Sequence, residues 1–442
     1  MNNDTFIIKG NIVYLTLDRT LQCKEHAYLI CKDRQVEGVY EVLPEQYEDY
    51  IIIDYGDQII LPGMTDLHVH APQYPFRGLG MDLELLEWLE TNTFPEEAKY
   101  ADTSYAKTSY SLFTEDLLHT TTTRACIFAT IHNEATLLLM DLLEKSGLKT
   151  YVGKVNMDRN GGINLEEESA SASYEQTKLW LDACQARYHN TKPILTPRFI
   201  PSCTDELMEK LSKLQKEYHL PVQSHLSENL SEIQWVKELV PDSSCYGDAY
   251  QMFDLFGGDV PTIMAHCVYS TKEEVALMKK NNVFIAHCPE SNLNIASGIA
   301  PIRSYLEDDL SVGLGSDVAG GSSLSLLKAM ACAIQSSKMY WRLVDQTQKP
   351  LTFEDVFYLA TLGGGSFFGN VGTFLKGYEF DAVVLNDENI KSPRTLSLQE
   401  RVNRLIYMPE HVTVVAKYVA GNCLYSDHAT LPRRNGYDTI RV

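Results

Sequence analysis

Eight short apolar runs separated by helical stretches limit what this chain can fold into more than any other feature. They are Thr65–His70, Thr123–Ile131, Tyr151–Met157, Pro193–Phe199, Pro221–His225, Thr262–His266, Val283–His287 and Val312–Asp317. Strand runs alternating with helix signals build βα units on a parallel sheet, and eight of them imply an α/β fold of the (β/α)8, or TIM, barrel type. Helix starts are legible too: Ser270-Thr-Lys-Glu273 and Thr271-Lys-Glu-Glu274 both read as capping boxes ahead of Val275. In such a barrel the chemistry sits at the C-terminal ends of the strands. The residues that end each run are therefore the ones to weigh.

The two ends of the chain have a different texture. Phe6–Leu15, Ala27–Cys31 and Ile51–Ile53 are β-rich runs broken by Gly10-Asn11, Asp33-Arg34 and Gly56-Asp57. The same pattern returns in Asp381–Leu385 and Val412–Ala420, with Gly421-Asn422 as a two-residue hairpin signal. Both ends are expected to form one small β-sandwich domain: 1–64 its first part, 65–372 the barrel inserted into it, and 373–442 its second part.

Composition narrows the partners. A formal net charge of -21 argues against nucleic acid or an anionic membrane surface, both of which would be repelled. No apolar run approaches the ~20 residues that span a bilayer. The first residues carry no positive region of the secretory kind. Ten cysteines without a Cys-x-x-Cys pair, in a chain of 442 residues, read as reduced thiols of a cytoplasmic protein.

The strand ends carry the chemistry. Strand one ends His68-Val-His70, and strand alternation puts both imidazoles on one face, which makes half of a metal site. Strand five ends at His225 and runs on as Leu-Ser-Glu228; strand six ends at His266; strand eight ends Ser316-Asp317. At ~31 residues per βα unit, the 155 residues from His70 to His225 hold about four units with some insertion. Each residue alone has a structural alternative, a histidine capping a loop carbonyl or an aspartate capping a helix. Five such residues at one mouth make a site the stronger reading.

The pattern His68-x-His70, His225-Leu-Ser-Glu228, His266 and Ser316-Asp317 resembles the amidohydrolase superfamily in its deaminase branch. More specific are His70-Ala-Pro-Gln73-Tyr, Leu85-Leu-Glu-Trp-Leu89, Thr196-Pro-Arg198-Phe199, Ala286-His-Cys-Pro-Glu-Ser-Asn-Leu293 and Gly313-Leu-Gly-Ser-Asp-Val-Ala-Gly-Gly321. These stretches are similar to those of enzymes that deaminate guanine, over about Leu61 to Gly377, with Glu290 out of pattern. The resemblance implies hydrolysis of guanine to xanthine and ammonia, a homodimer, and one zinc held by His68, His70, His225 and Asp317. His266 would ligate the zinc or hydrogen-bond its water. Bound zinc lowers the pKa of water to about 7. Asp317 would take the water's proton, and Glu228 would protonate a ring nitrogen of the base. Two-metal relatives carry a bridging lysine at the end of strand four. Here that strand reads Ile-Leu-Thr-Pro-Arg198-Phe199, and Lys154 on strand three is a poor substitute, so a single metal is expected. Nitrogen and carboxylate donors suit iron as well as zinc.

The resemblance places Gln73, Arg198, Phe199, His225 and Asp317 against the substrate. Arg198 offers a fork of donors for a carbonyl oxygen, and Gln73 offers both a donor and an acceptor for a ring edge. The aromatic run from Tyr74-Pro-Phe76 to Trp88 and Phe94 reads equally as a lid over the base, as helix packing or as a dimer contact. His287 reads as a group behind the ligands. The rivals are deamination or dechlorination of another nitrogen heterocycle (cytosine, a triazine, an adenosine derivative) and a non-catalytic structural relative.

Overall fold

A computed structural model describes residues 5–427. The last part of the expected second β segment, 428–442, lies outside the described residues. The barrel strands are β1 (Met64–His70), β2 (Thr122–Phe128), β3 (Lys149–Gly153), β4 (Thr191–Pro193), β5 (Val222–Leu226), β6 (Thr262–His266), β7 (Phe284–His287) and β8 (Ser311–Leu314). All pair in parallel, in the order β5-β6-β7-β8-β1-β2-β3-β4, and a bridge from Leu195 to Val222 brings β4 back to β5. Every residue of β1 and β2 is buried, as a parallel sheet covered on both faces requires.

The strand boundaries agree with the sequence to within a few residues, with two informative exceptions. The run Tyr151–Met157 divides into β3 and a two-residue strand, Val155–Asn156. Pro193–Phe199 likewise divides into β4 and Thr196–Pro197, which pairs with Val155–Asn156 in a separate ribbon. Prolines at 193 and 197 cannot donate to a ladder, so that strand cannot run unbroken. Thr271, not Ser270, caps the helix Lys272–Asn281, its side chain accepting from the Glu274 amide.

The flanking strands form one seven-stranded sheet, which includes Phe6–Leu15, Leu21–Lys32, Ile52–Pro62, Ala382–Asn386 and Thr413–Val419. Strand Gln35–Tyr40, which the sequence did not single out, lies at its edge. The C-terminal hairpin turns on Ala420-Gly421, both at positive φ (46° and 72°), one residue earlier than expected. This sheet meets the barrel near the start of β2, where the buried Arg124 donates to Asp381 through Nε (2.8 Å) and Nη2 (3.0 Å) and to Glu379 (2.7 Å). Asp381 also accepts from the Ala420 amide at 2.8 Å, and Lys417 Nζ donates to the Thr122 carbonyl at 2.7 Å. Breaking a buried pair from one side leaves an uncompensated charge, at about 3–5 kcal/mol. Asp381→Ala should therefore lower the urea-unfolding free energy by about that amount. Arg124→Met with Asp381→Leu should recover part of it, and equal losses in the single and double variants would show that the pair is not the cause.

Candidate metal centre and active site

The loop and strand ends at the barrel mouth are shaped to aim side chains inward. Pairing of β1 with β2 shifts register between Asp66 and Val69, a bulge within which His68 lies. Ser227, His266 and Asp317 sit at φ of 48°, 74° and 46°, left-handed values that cost a non-glycine residue about 1–3 kcal/mol each. Nothing in the sequence flags that strain. Gly315 keeps β8 close to β1, because a Cβ there would lie 2.9 Å from the Cβ of His68.

Donor atoms gather in two overlapping sets, His68 with His70 and His225, and His68 with His266, Cys288 and Asp317. His68 Nε2 lies 3.2 Å from His70 Nε2 and 3.2 Å from Asp317 Oδ1; His70 Nε2 lies 3.3 Å from His225 Nε2 and 3.5 Å from Asp317 Oδ1. The His225 Nδ1–H donates to the Arg198 carbonyl at 2.7 Å, which leaves Nε2 with its lone pair facing the cluster. Burial and the His68 imidazole hold His225 neutral, and His70 likewise. A neutral His225 aiming its lone pair at the cluster, with the His68 and His70 rings and a carboxylate close by, makes a donor set that suits a zinc-type cation.

Asp317 stays ionised. Burial alone would raise its carboxyl, but His68 at hydrogen-bond distance, followed by His266, outweighs burial and holds it well below the usual range. Behind it, Asp66 accepts from the Ser316 amide (3.0 Å), the Ser316 hydroxyl (2.5 Å) and the His68 amide (3.2 Å), tying β1 to the end of β8.

His266 is turned by its Nδ1–H to Asn292 Oδ1 at 2.8 Å. Its Nε2 lies 3.3 Å from Glu228 Oε2 and 3.7 Å from Asp317 Oδ2, so it bridges the two carboxyls. Glu228 is buried, accepts from the Ser297 hydroxyl at 2.9 Å, and has its pKa raised by burial and by the charge of Asp317. Glu232, four residues on, accepts from the Glu228 amide and from the Tyr246 hydroxyl. Cys288, which the sequence reading passed over, brings its thiol near His68, His266 and Asp317. Burial pushes that thiol's pKa well up, and its Sγ–H donates to the Ala286 carbonyl at 3.4 Å.

A cleft with about 410 Å³ of empty space opens on this cluster, lined among others by Gln73, Leu85, Trp88, Leu89, Arg198 and Phe199. The aromatic run after β1 therefore serves the cleft at Trp88, while Phe94 lies with its ring centre 5.2 Å from the Arg198 guanidinium carbon. Arg198 is not a free fork. Its Nη1 and Nη2 donate to Glu97 at 2.6 and 3.1 Å, and Gln73 Nε2 donates to the same carboxylate at 2.9 Å. Glu97 was missed in the sequence. Lys154 is buried and donates to Glu167 at 2.5 Å and to the Val155 carbonyl at 3.2 Å. His287 is buried behind His266, its pKa lowered to about 3 by burial and by that imidazole. Glu290 pairs with Lys328 at 2.6 Å and does not line the cleft.

An eight-stranded barrel with a histidine–aspartate cluster at its C-terminal mouth defines the class of metal-dependent barrel hydrolases. By sequence, the amidohydrolase family matches residues 59–423, and the chain belongs to that family. A guanine deaminase of Dictyostelium discoideum is 37% identical over 409 residues, covering 91% of this chain and 88% of its own. The guanine deaminase of Escherichia coli (strain K12) is 32% identical over 416 residues, covering 91% of each. The crystal structure of guanine deaminase from C. acetobutylicum with bound guanine in the active site superposes with a TM-score of 0.91 at 45% identity, covering 95% of this chain and 100% of that one.

Proposed function

We propose that this chain is a guanine deaminase, converting guanine and water to xanthine and ammonia. The observation that carries the reading is that the ionised Asp317, the buried Glu228 and the Arg198–Gln73 wall all face one cleft. His68, His70, His225 and Asp317 would hold one zinc ion, with His266 as a fifth neighbour; the single-metal count rests on the want of a lysine at the end of strand four and is supported by Lys154 being engaged with Glu167. When bound, the metal supplies Lewis acidity that makes water a nucleophile at neutral pH. Asp317 accepts the water's proton. Glu228, whose environment favours its acid form, donates to a ring nitrogen as attack proceeds and then helps ammonia depart. Gln73, Arg198 and Phe199 hold the base, with His225 and Asp317 at its reacting edge. Leu85, Trp88 and Leu89 exclude water from its face.

The same reading takes the two chain ends, 1–64 and 373–442, as one small β-sandwich domain flanking a barrel of 65–372. Support comes from the shared sheet and from its own apolar cluster, which includes Ile8, Ile12, Phe374, Phe380 and Val384. It also takes the protein as a cytoplasmic homodimer acting in purine metabolism; among the described residues no helix is long and apolar enough to cross a membrane.

Ammonia release from a panel of guanine, adenine, cytosine and a triazine tests the substrate, with metal content measured alongside. Guanine should be preferred, with one metal per chain. Two metals per chain, both needed for turnover, would overturn the single-zinc assignment. His68→Ala should lose metal and activity together, and chelation of the native protein should lower its melting temperature, because an ion bound only by the folded chain stabilises it.

A further inference from the structure

Glu97 is nearly fully buried, lies behind the cleft without lining it, and has no part in the chemistry above. It grips Arg198, the only lysine or arginine lining the cleft among the described residues, through two hydrogen bonds. It also fixes Gln73, whose Nε2 it accepts from, while Gln73 Oε1 accepts from the Ala319 amide at 3.0 Å. One carboxylate thus orients both polar groups of the recognition wall and cancels its only fixed positive charge.

The surroundings do not restore that charge. Tyr100 and Tyr110, on the segments that follow Glu97, are held neutral by burial, which raises their pKa. His132, after β2, is pushed down by burial and then by Lys154. Lys154 is itself compensated by Glu167. His70, on β1, is committed to the donor cluster, its Nε2 3.2 Å from His68 Nε2 and 3.3 Å from His225 Nε2. Phe94 covers the guanidinium with an uncharged ring.

We propose that Glu97 is a specificity-determining residue: by neutralising Arg198 it makes the cleft select a neutral purine base and release the more acidic product. The inference rests on the guanine-deaminase reading. Replacing the exocyclic amine of guanine by a carbonyl gives xanthine, a stronger acid that is partly a monoanion at neutral pH and more so at alkaline pH. An unpaired guanidinium in a desolvated cleft would retain that anion, since a hydrogen bond between ionised groups is roughly twice as strong as a neutral one. A pre-paired guanidinium still donates through its remaining N–H groups, yet adds no net charge to that of the metal centre, which native enzyme and variant share.

The test is inhibition by xanthine, measured with metal-loaded Glu97→Gln and native enzyme at mildly acidic and mildly alkaline pH. In the variant, xanthine should bind about tenfold tighter at alkaline pH than the native enzyme allows. At acidic pH, where xanthine is neutral, the two enzymes should differ little. The double variant Glu97→Gln/Arg198→Gln should lose the alkaline tightening. Xanthine inhibition that matches the native enzyme at both pH values, with native metal content and melting temperature, would overturn the proposal. If Glu97→Gln does not fold, Arg198→Gln decides. With Glu97 uncompensated, xanthine should bind more weakly at alkaline than at acidic pH, relative to native enzyme, and no such weakening overturns the proposal. Failure of the native enzyme to deaminate guanine would overturn the functional reading instead, and is seen before any variant is made.

Discussion

Glu228→Gln should retain the metal and the fold and lose about 10²–10⁴-fold in turnover, the range a positioned general acid–base group supplies. The amide keeps the shape and still accepts from Ser297, but it has no proton of the right acidity to give. The geometry explains why the native carboxyl is suited to giving one. It is buried, and the anionic Asp317 opposes a second negative charge, so both effects hold the proton on Glu228. His266 lies 3.3 Å from one carboxyl oxygen and 3.7 Å from Asp317, which would give a proton path between the proposed base, Asp317, and the proposed acid, Glu228. Metal content and single-turnover ammonia release with guanine check the outcome. Near-native turnover with intact metal would leave Glu228 as no more than a buried acid before the helix Leu230–Leu239.

What the sequence made legible depends on how local the signal is. The eight runs are read from apolar periodicity within each run, and the strand-end histidines follow once the barrel is inferred. Asp66 is different: it binds Ser316 across 250 residues of chain, and no local pattern announces that. Glu97 is the sharper case, because its partner Arg198 lies 101 residues away. Nothing in Phe94-Pro-Glu-Glu97 itself points to a buried partner. The structure runs Leu85–Trp88 through a wide turn at Leu89–Thr93 into Phe94–Glu97. Regular helical spacing from Leu85 puts position 96 on the inner face, and a wide turn inserts about one extra residue. That shift brings Glu97 inward against Arg198. The hairpin at Ala420-Gly421 fails for a smaller reason: Ala420 takes a left-handed conformation that its side chain disfavours, so the turn sits one residue before the glycine–asparagine signal.

The largest expected effect on specificity belongs to Arg198, and the buried partner changes how it must be measured. Guanine presents a carbonyl at C6, an acceptor, whereas adenine presents an amino group there, a donor. Arginine only donates, so adenine would set donor against donor in a closed cleft. A site built to hydrogen-bond a substrate group can reject an analogue lacking it by as much as 10⁴–10⁵-fold. Arg198→Ala should therefore cut kcat/KM for guanine sharply and narrow the preference over adenine-like bases, with metal retained. The same change also strands Glu97 as a buried, unpaired carboxylate, a penalty of about 3–5 kcal/mol that has nothing to do with recognising the base. The two contributions separate in the double variant Arg198→Ala/Glu97→Ala, which removes both charges. Stability should return toward native in the double variant while guanine kcat/KM stays low, since no donor faces the C6 carbonyl. If the double variant recovers guanine kinetics along with stability, Arg198 serves the fold and another residue reads the base. If it recovers stability alone, the arginine is what distinguishes a carbonyl from an amine, and Glu97 is what lets a cation do so inside a buried wall.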